Sequence, residues 1–234
     1  MADQIILALK RLIADGTLPR GGRLPTEREL AAQYGVSAPT IREAIRALSS
    51  MGLIEVRHGS GAYVAESSRG ILDSSFSVLV QWEQIGVHDL MGLLRVLHLY
   101  VADLAVNVAT EDEVDALVIR GEETRTRIGN RALATSASTF LQAYVQCAHQ
   151  PLLDAMCGFL TGVLIDHELK YEAEETEAYW RQFAHDTAEL RLAVAYALKA
   201  RDLPRLRAAV EAFHDGINAR LSSLPSILDA REAR

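Results

Sequence analysis

The sequence predicts a mostly α-helical chain in two parts: three short helices closed by a β-hairpin, then an all-α bundle of six or seven helices. Three observations lead there. Apolar residues recur at helical spacing from residue 5 to residue 48, broken by glycines. Short β-type runs at 53–57 and 62–65 flank the glycine-rich tetrapeptide His58-Gly59-Ser60-Gly61. From about residue 71 onward the pattern is helical, with no convincing alternating strand.

Each element follows from local signals. Ile5, Ile6, Leu9, Leu12 and Ile13 make the apolar side of a first helix that Gly16 stops, and Pro19 with Gly21-Gly22 turns the chain. Thr26-x-x-Glu29 is a capping box opening a second helix, which Gly35 ends. After two residues Ser37 caps a third, with Pro39 in its first turn and Ile41, Ala44, Ile45 and Leu48 on one side. Two helices joined so tightly are a helix-turn-helix candidate, and the hairpin behind them reads as a wing. The small polar stretch 67–70 reads as a linker, dividing a domain of residues 1–66 from a helical domain of 71–222, with a loosely held tail at 223–234. In the second part Thr110-x-x-Glu113 is another capping box, Pro151 suits a first helical position, and Asp202 with Pro204 opens a long last helix.

Composition and charge narrow the function. The chain has 234 residues, 49% hydrophobic and 24% charged, the balance of a globular protein rather than a disordered one. No apolar run approaches the length of a membrane span and the N-terminus lacks a leader pattern, so the expected address is cytoplasmic, with no membrane partner. Cys147 and Cys157 are too few for a disulfide framework and read as reduced core thiols. The net charge of −7 is uneven: residues 1–66 hold 8 Lys and Arg against 7 Asp and Glu, so the acid lies in the second part. Enzyme signatures are missing: there is no Gly-rich phosphate loop, nucleophile elbow, His-Glu-x-x-His or CxxC. The run Glu172, Glu174, Glu175 and Glu177 reads as a solvated face.

On the third helix Thr40, Arg42 and Arg46 lie off the apolar stripe, where side chains of a second helix-turn-helix helix reach bases and phosphates. Arg42 is the best base reader, because a guanidinium fork donates to guanine O6 and N7 together. Arg28 and the wing residues His58 and Gly59 suit phosphate or minor-groove contact. Periodicity alone leaves open a helical ligand-binding or protein-interaction module that does not read DNA selectively.

The residue pattern is more specific. The run Leu24-Pro25-Thr26-Glu27-Arg28-Glu29-Leu30-Ala31, followed by Gly35-Val36-Ser37, Thr40-Ile41-Arg42-Glu43-Ala44, Gly52-Leu53-Ile54 and Gly59-Ser60-Gly61-Ala62-Tyr63-Val64, strongly resembles the winged helix-turn-helix of the GntR family of bacterial transcription regulators. The resemblance implies DNA contacts from Arg28, Ser37, Thr40, Arg42, His58 and Gly59. Ala38 departs from it where many relatives carry arginine.

Arg95, Phe140, Pro151-Leu152-Leu153 and 197–202 resemble, more weakly, the all-helical effector domain of the FadR-like branch. That implies a homodimeric regulator, usually a repressor, reading a palindromic double-stranded operator and responding to a small organic acid, sugar acid or acyl compound. Many such relatives hold a divalent metal with Asp and three His. Those four positions fall here on Ala137, Leu141, Arg191 and Phe213, so no metal and no cofactor is expected. The resemblance then implies an anionic or acyl effector held by Arg191 with Arg95 and His214 against Phe140 and Leu141. The alternative is that Arg191 lies on a solvated helix face beside Glu189. The other histidines, His98, His149, His167 and His185, read as hydrogen-bonded or surface residues.

Overall fold

The computed structural model describes residues 1–66, 69–169 and 176–221. Linker residues 67–68, the acidic positions 172–175 and the tail at 223–234 lie outside the described residues. The chain is mostly helical and divides into two compact units, Met1–Glu83 and Gln84–Arg234.

The first unit opens with α1 (Ala2–Ala14), α2 (Glu27–Tyr34) and α3 (Ala38–Ser50), followed by β1 (Ile54–Arg57) and β2 (Gly61–Val64). The capping box forms as the spacing predicts: the Thr26 amide donates to Glu29 Oε2 at 2.8 Å and the Glu29 amide to Thr26 Oγ1 at 3.3 Å. Gly35 closes α2 in the left-handed region, and the Ser37 side chain accepts from the Thr40 amide. One core results, built from Ile5 and Leu9 of α1, Leu30 of α2, Ile41, Ala44, Ile45 and Leu48 of α3, and Ile54 and Val64 of the hairpin. α3 packs on α1, α2 and β1, so its outer side alone remains available.

The hairpin pairs Ile54 with Val64 and Arg57 with Gly61 in antiparallel register. It also has a neighbour that the sequence does not reveal. The turn at Pro19 leads residues 21–24 alongside β2, where the Leu24 amide donates to the Ala62 carbonyl and the Val64 amide to the Gly22 carbonyl, both at 2.8 Å. The wing is therefore held from both sides.

The expected boundary at 67–70 differs from the observed division. α4 (Arg69–Trp82) begins inside that stretch and falls with the first unit. Its Gly70 meets Gly52, whose bare Cα permits the approach.

The second unit contains α5 (Val87–Val108), α6 (Glu111–Glu123), a short 3₁₀ turn (Thr124–Thr126), α7 (Asn130–Gln146), α8 (Pro151–Glu168), α9 (Glu177–Lys199) and α10 (Leu203–Leu221). α5 packs on α8 and α10, α9 on α6 and α10, and α7 on α6 and α8. Among the described residues α5 is long and apolar enough to cross a bilayer, contrary to the sequence expectation that no run reaches that length. Its buried residues are Leu90, Met91, Leu94, His98, Val101, Ala102 and Ala105, the inward face of a bundle helix, and its flank carries Arg95 and Asp103.

Gly52 has φ +71°, and a Cβ there would overlap the Gly70 backbone, whereas Gly35 has φ +64° with nothing within 4 Å of its would-be Cβ. Gly35→Ala is expected to cost about 1–2 kcal/mol from backbone strain alone, and Gly52→Ala about 3 kcal/mol or more because strain and overlap add. Urea unfolding of the full chain measures both, and equal costs would contradict the Gly52–Gly70 contact.

Candidate functional site

The outer side of α3 follows from its inner side. Burying Ile41, Ala44, Ile45 and Leu48 turns Arg42, Glu43 and Arg46 to the surface, with Thr40 half-buried at the helix start beside Ser37. Ser37 and Thr40 hydroxyls are 2.9 Å apart, so the cap also orders the first polar side chains of this helix. Arg28 and Arg46 are exposed and form no ion pair among the described residues. At the wing tip His58 and Gly59 are exposed, and Gly59 has φ +75°, which a glycine adopts without strain. Behind the tip, the Arg57 guanidinium lies over the Tyr63 ring at 4.5 Å and pairs with Glu55 at 3.2 Å and Glu66 at 3.5 Å.

Arg42 carries a partner that the sequence analysis missed. Its Nε and Nη2 donate to Glu27 Oε2 at 3.1 and 2.9 Å. Glu27 is the first residue of α2, where a carboxylate also favours the helix N-terminus. The pair is exposed on both sides, 53% for Arg42 and 38% for Glu27, so water and salt weaken it and the fork can be exchanged onto another acceptor. Fifteen residues separate the two, and no local signal links them. Arg23 is a second surface cation the sequence did not single out; it is exposed, and its backbone forms an antiparallel β-bridge with that of Tyr63.

In the helical unit the effector candidates separate into two buried clusters and one surface pair. Arg191 on α9 is 2% exposed, so the solvated alternative is excluded; Glu189 instead pairs with Arg125 at 2.6 Å. Arg191 Nη1 donates to Thr124 Oγ1 at 2.7 Å and Ser136 Oγ at 3.2 Å, and those hydroxyls are 2.9 Å apart. Its guanidinium lies 5.9 Å from the centre of the Phe140 ring, and Leu141 is buried next along α7. Thr124 and Ser136 are residues the sequence gives no reason to select.

His214 on α10 belongs to the other cluster. Its Nε2 and Nδ1 of His98 on α5 are 3.0 Å apart, and Tyr144 Oη on α7 donates to the His98 carbonyl at 2.9 Å. Burial, and after it the neighbouring ring, lowers the His98 pKa to about 3. Burial, then the nearby Arg95 charge, lowers that of His214 to about 4. Both rings are neutral at ordinary pH. Arg95 itself pairs at the surface with Asp215 at 2.6 Å, and His149 pairs with Glu113 at 2.8 Å.

The metal of the similar effector domains does not fit these residues. Ala137, Leu141 and Phe213 offer no lone pair, and the buried Arg191 brings a fixed positive charge to the remaining position.

Comparison with known proteins bears on both units. Residues 1–64 match the family described as bacterial regulatory proteins, gntR family. The chain is 34% identical to the HTH-type transcriptional regulator Rv0494 of Mycobacterium tuberculosis over 118 residues, 49% of this chain and 48% of that protein. It is 26% identical to the HTH-type transcriptional regulator LutR of Bacillus subtilis over 182 residues, 77% of this chain and 80% of LutR. With the HTH-type transcriptional repressor NanR of Klebsiella aerogenes it shares 30% identity over 115 residues, 49% of this chain and 44% of NanR. The matched stretches thus span about half of Rv0494 and somewhat less of NanR. A solved structure named Streptococcus agalactiae GntR superposes with TM-score 0.68 at 20% identity, covering 94% of this chain and all of that one, which establishes the common fold.

Glu27→Gln tests the ion pair. Removing one negative charge and releasing Arg42 is expected to raise affinity for random-sequence DNA by about threefold to tenfold at low salt, with a steeper salt dependence. Fluorescence anisotropy at two salt concentrations measures it, and unchanged affinity would show that Glu27 does not restrain Arg42.

Proposed function

We propose, from the premise that this chain is a bacterial transcription regulator of the gntR family, that it binds a palindromic operator as a homodimer and changes its DNA affinity when the helical unit takes up a small anionic or acyl metabolite. The observation that carries the DNA part is the outer side of α3, where Thr40, Arg42 and Arg46 stand clear of a core that fixes the helix on three sides. Arg42 reads a base, Arg28, Ser37, Thr40 and Arg46 hold phosphates, and His58 and Gly59 approach the minor groove. The relatives are transcription regulators rather than enzymes, and the repressor in NanR's printed name supports repression as the mode of action here.

Dimerisation is supported by the outer face of α5. Leu93, Val96 and Tyr100 follow one another on successive turns, 42%, 63% and 52% exposed, an apolar stripe that a second copy would cover. Two heads on one axis explain how a domain of net charge +1 achieves specificity, since each half-site adds its own contacts. The effector part is supported by Arg191: a buried, permanently charged fork suits a carboxylate or phosphate held in bidentate fashion.

The chain's own upstream DNA, compared with random DNA at two salt concentrations, tests the DNA reading. Arg42→Ala is expected to weaken the specific complex about tenfold to a hundredfold and to relax the preference at one base pair per half-site. Equal affinity of the wild type for both DNAs would favour a helical ligand-binding or interaction module instead. Val96→Asp is expected to shift the sedimenting species from dimer to monomer, and an unchanged dimer would place the interface elsewhere.

A further inference from the structure

We propose that Arg23 is a further DNA-binding residue, one that holds a phosphate of the backbone strand running between the groove read by α3 and the groove entered by the wing. This rests on the reading of the first unit as a DNA-binding head and adds a contact between its two reading elements.

Backbone pairing sets where Arg23 stands. Its backbone bridges that of Tyr63, and on either side the Leu24 amide donates to the Ala62 carbonyl and the Val64 amide to the Gly22 carbonyl, both at 2.8 Å. From there the exposed side chain reaches along the wing to Gly61, two residues from Gly59 at the tip. Its Nε and Nη2 come within 3.2 and 3.4 Å of the place that a Cβ on Gly61 would take. Position 61 is thus covered by a guanidinium from the neighbouring strand, which a side chain there would crowd. Arg42 and Arg57 are each paired with carboxylates, whereas the Arg23 guanidinium donates to no acceptor among the described residues.

A cleft of about 200 Å³ lies beside it, bounded by Ile45 of α3, Thr26 and Glu27 at the start of α2, and Val56 and Gly61 of the wing. Among the described residues that line this cleft, Arg23 is the one cation. In a duplex the major and minor grooves are divided by a sugar-phosphate strand, so a head with α3 in one groove and the wing tip in the other straddles that strand. The phosphate under the span meets the cleft.

The charges around the cleft make Arg23 decisive. Glu27 lines it with its carboxylate bound to Arg42, and Arg42 leaves that carboxylate when it turns to a base. The Glu29 carboxyl is held below its usual range by the Thr26 amide and hydroxyl and then by the Arg23 charge, so it too is ionised nearby. Without Arg23 these carboxylates would repel the backbone strand. A guanidinium offsets them, stays charged at every working pH and matches the oxygens of a phosphate.

The test measures fluorescence anisotropy of the full-length protein on a duplex that it selects from a random pool, with single phosphates replaced in turn by neutral methylphosphonate. The wild type is expected to lose affinity about threefold to tenfold at one phosphate per half-site between the contacts of α3 and those of the wing. Arg23→Gln is expected to bind the unmodified duplex weaker by a similar factor, to be indifferent to that same methylphosphonate, and to show a salt dependence shallower by about 0.9 per head on selected and random DNA alike. Arg23→Lys restores the charge and is expected to recover most of the affinity. Arg20→Gln removes an equal charge at the end of β2 far from the tip, where the Gly21 amide bonds to Val64, and is expected to stay within about twofold of the wild type. An equal loss in Arg20→Gln, a loss in Arg23→Gln that adds to that of every methylphosphonate, or a changed base preference in Arg23→Gln would overturn the assignment. A wild type that selects no duplex would overturn the DNA reading along with it.

Discussion

A guanidinium cannot be buried without acceptors for its hydrogens, and this constraint organises the helical unit. Arg191 on α9 draws Thr124, at the start of the turn after α6, and Ser136 on α7 into one hydrogen-bonded cluster over the Phe140 ring. Three segments far apart in sequence are tied to a single charge that no pH in the working range removes. The same position in similar effector domains belongs to a metal ligand. On the proposed effector reading, a covalently attached cation would stand in place of the divalent ion as the positive centre of the bundle.

The N-terminal unit solves a different problem with an opposite device. Its reading helix has to keep arginines accessible while the domain as a whole stays almost uncharged, so that random DNA is not held strongly. Glu27 does this for Arg42 through an exposed, exchangeable ion pair. The wing is braced by Arg57 on Tyr63 and by residues 21–24 on its other edge, which fixes the approach of His58 and Gly59 without using their side chains. On the proposed homodimer, affinity would come from two weakly charged heads joined in one molecule, where the second contact is made at high effective concentration.

What the sequence disclosed was local, and what it withheld was long-range. Thr26 with Glu29, Ser37, Thr110 with Glu113, Pro151 and Pro204 mark helix ends because capping is settled within a few residues. The polar side of α3 was legible because helical period assigns each residue a face. Glu27 as the partner of Arg42, the Thr124–Ser136–Arg191 cluster and the His98–His214 pair were not, since they join residues separated by 15, 55 to 67 and 116 positions. Residues 21–24 show no alternation and so hid their pairing with β2. The division after Glu83 was missed for a related reason: a polar stretch resembles a linker unless one knows that Gly70 packs on Gly52.

The central claim is that Arg191 has taken over the anchoring of a carboxylate without a metal. It is tested most directly by melting temperatures of the full-length protein and of Arg191→Met across a panel of organic and sugar acids, with a chelator and with added divalent metal. The account predicts that at least one acid raises the wild-type melting temperature in chelator, as a ligand bound only by the folded state must, and that Arg191→Met does not respond to it. A response that requires added metal, or one that survives in Arg191→Met, would contradict it.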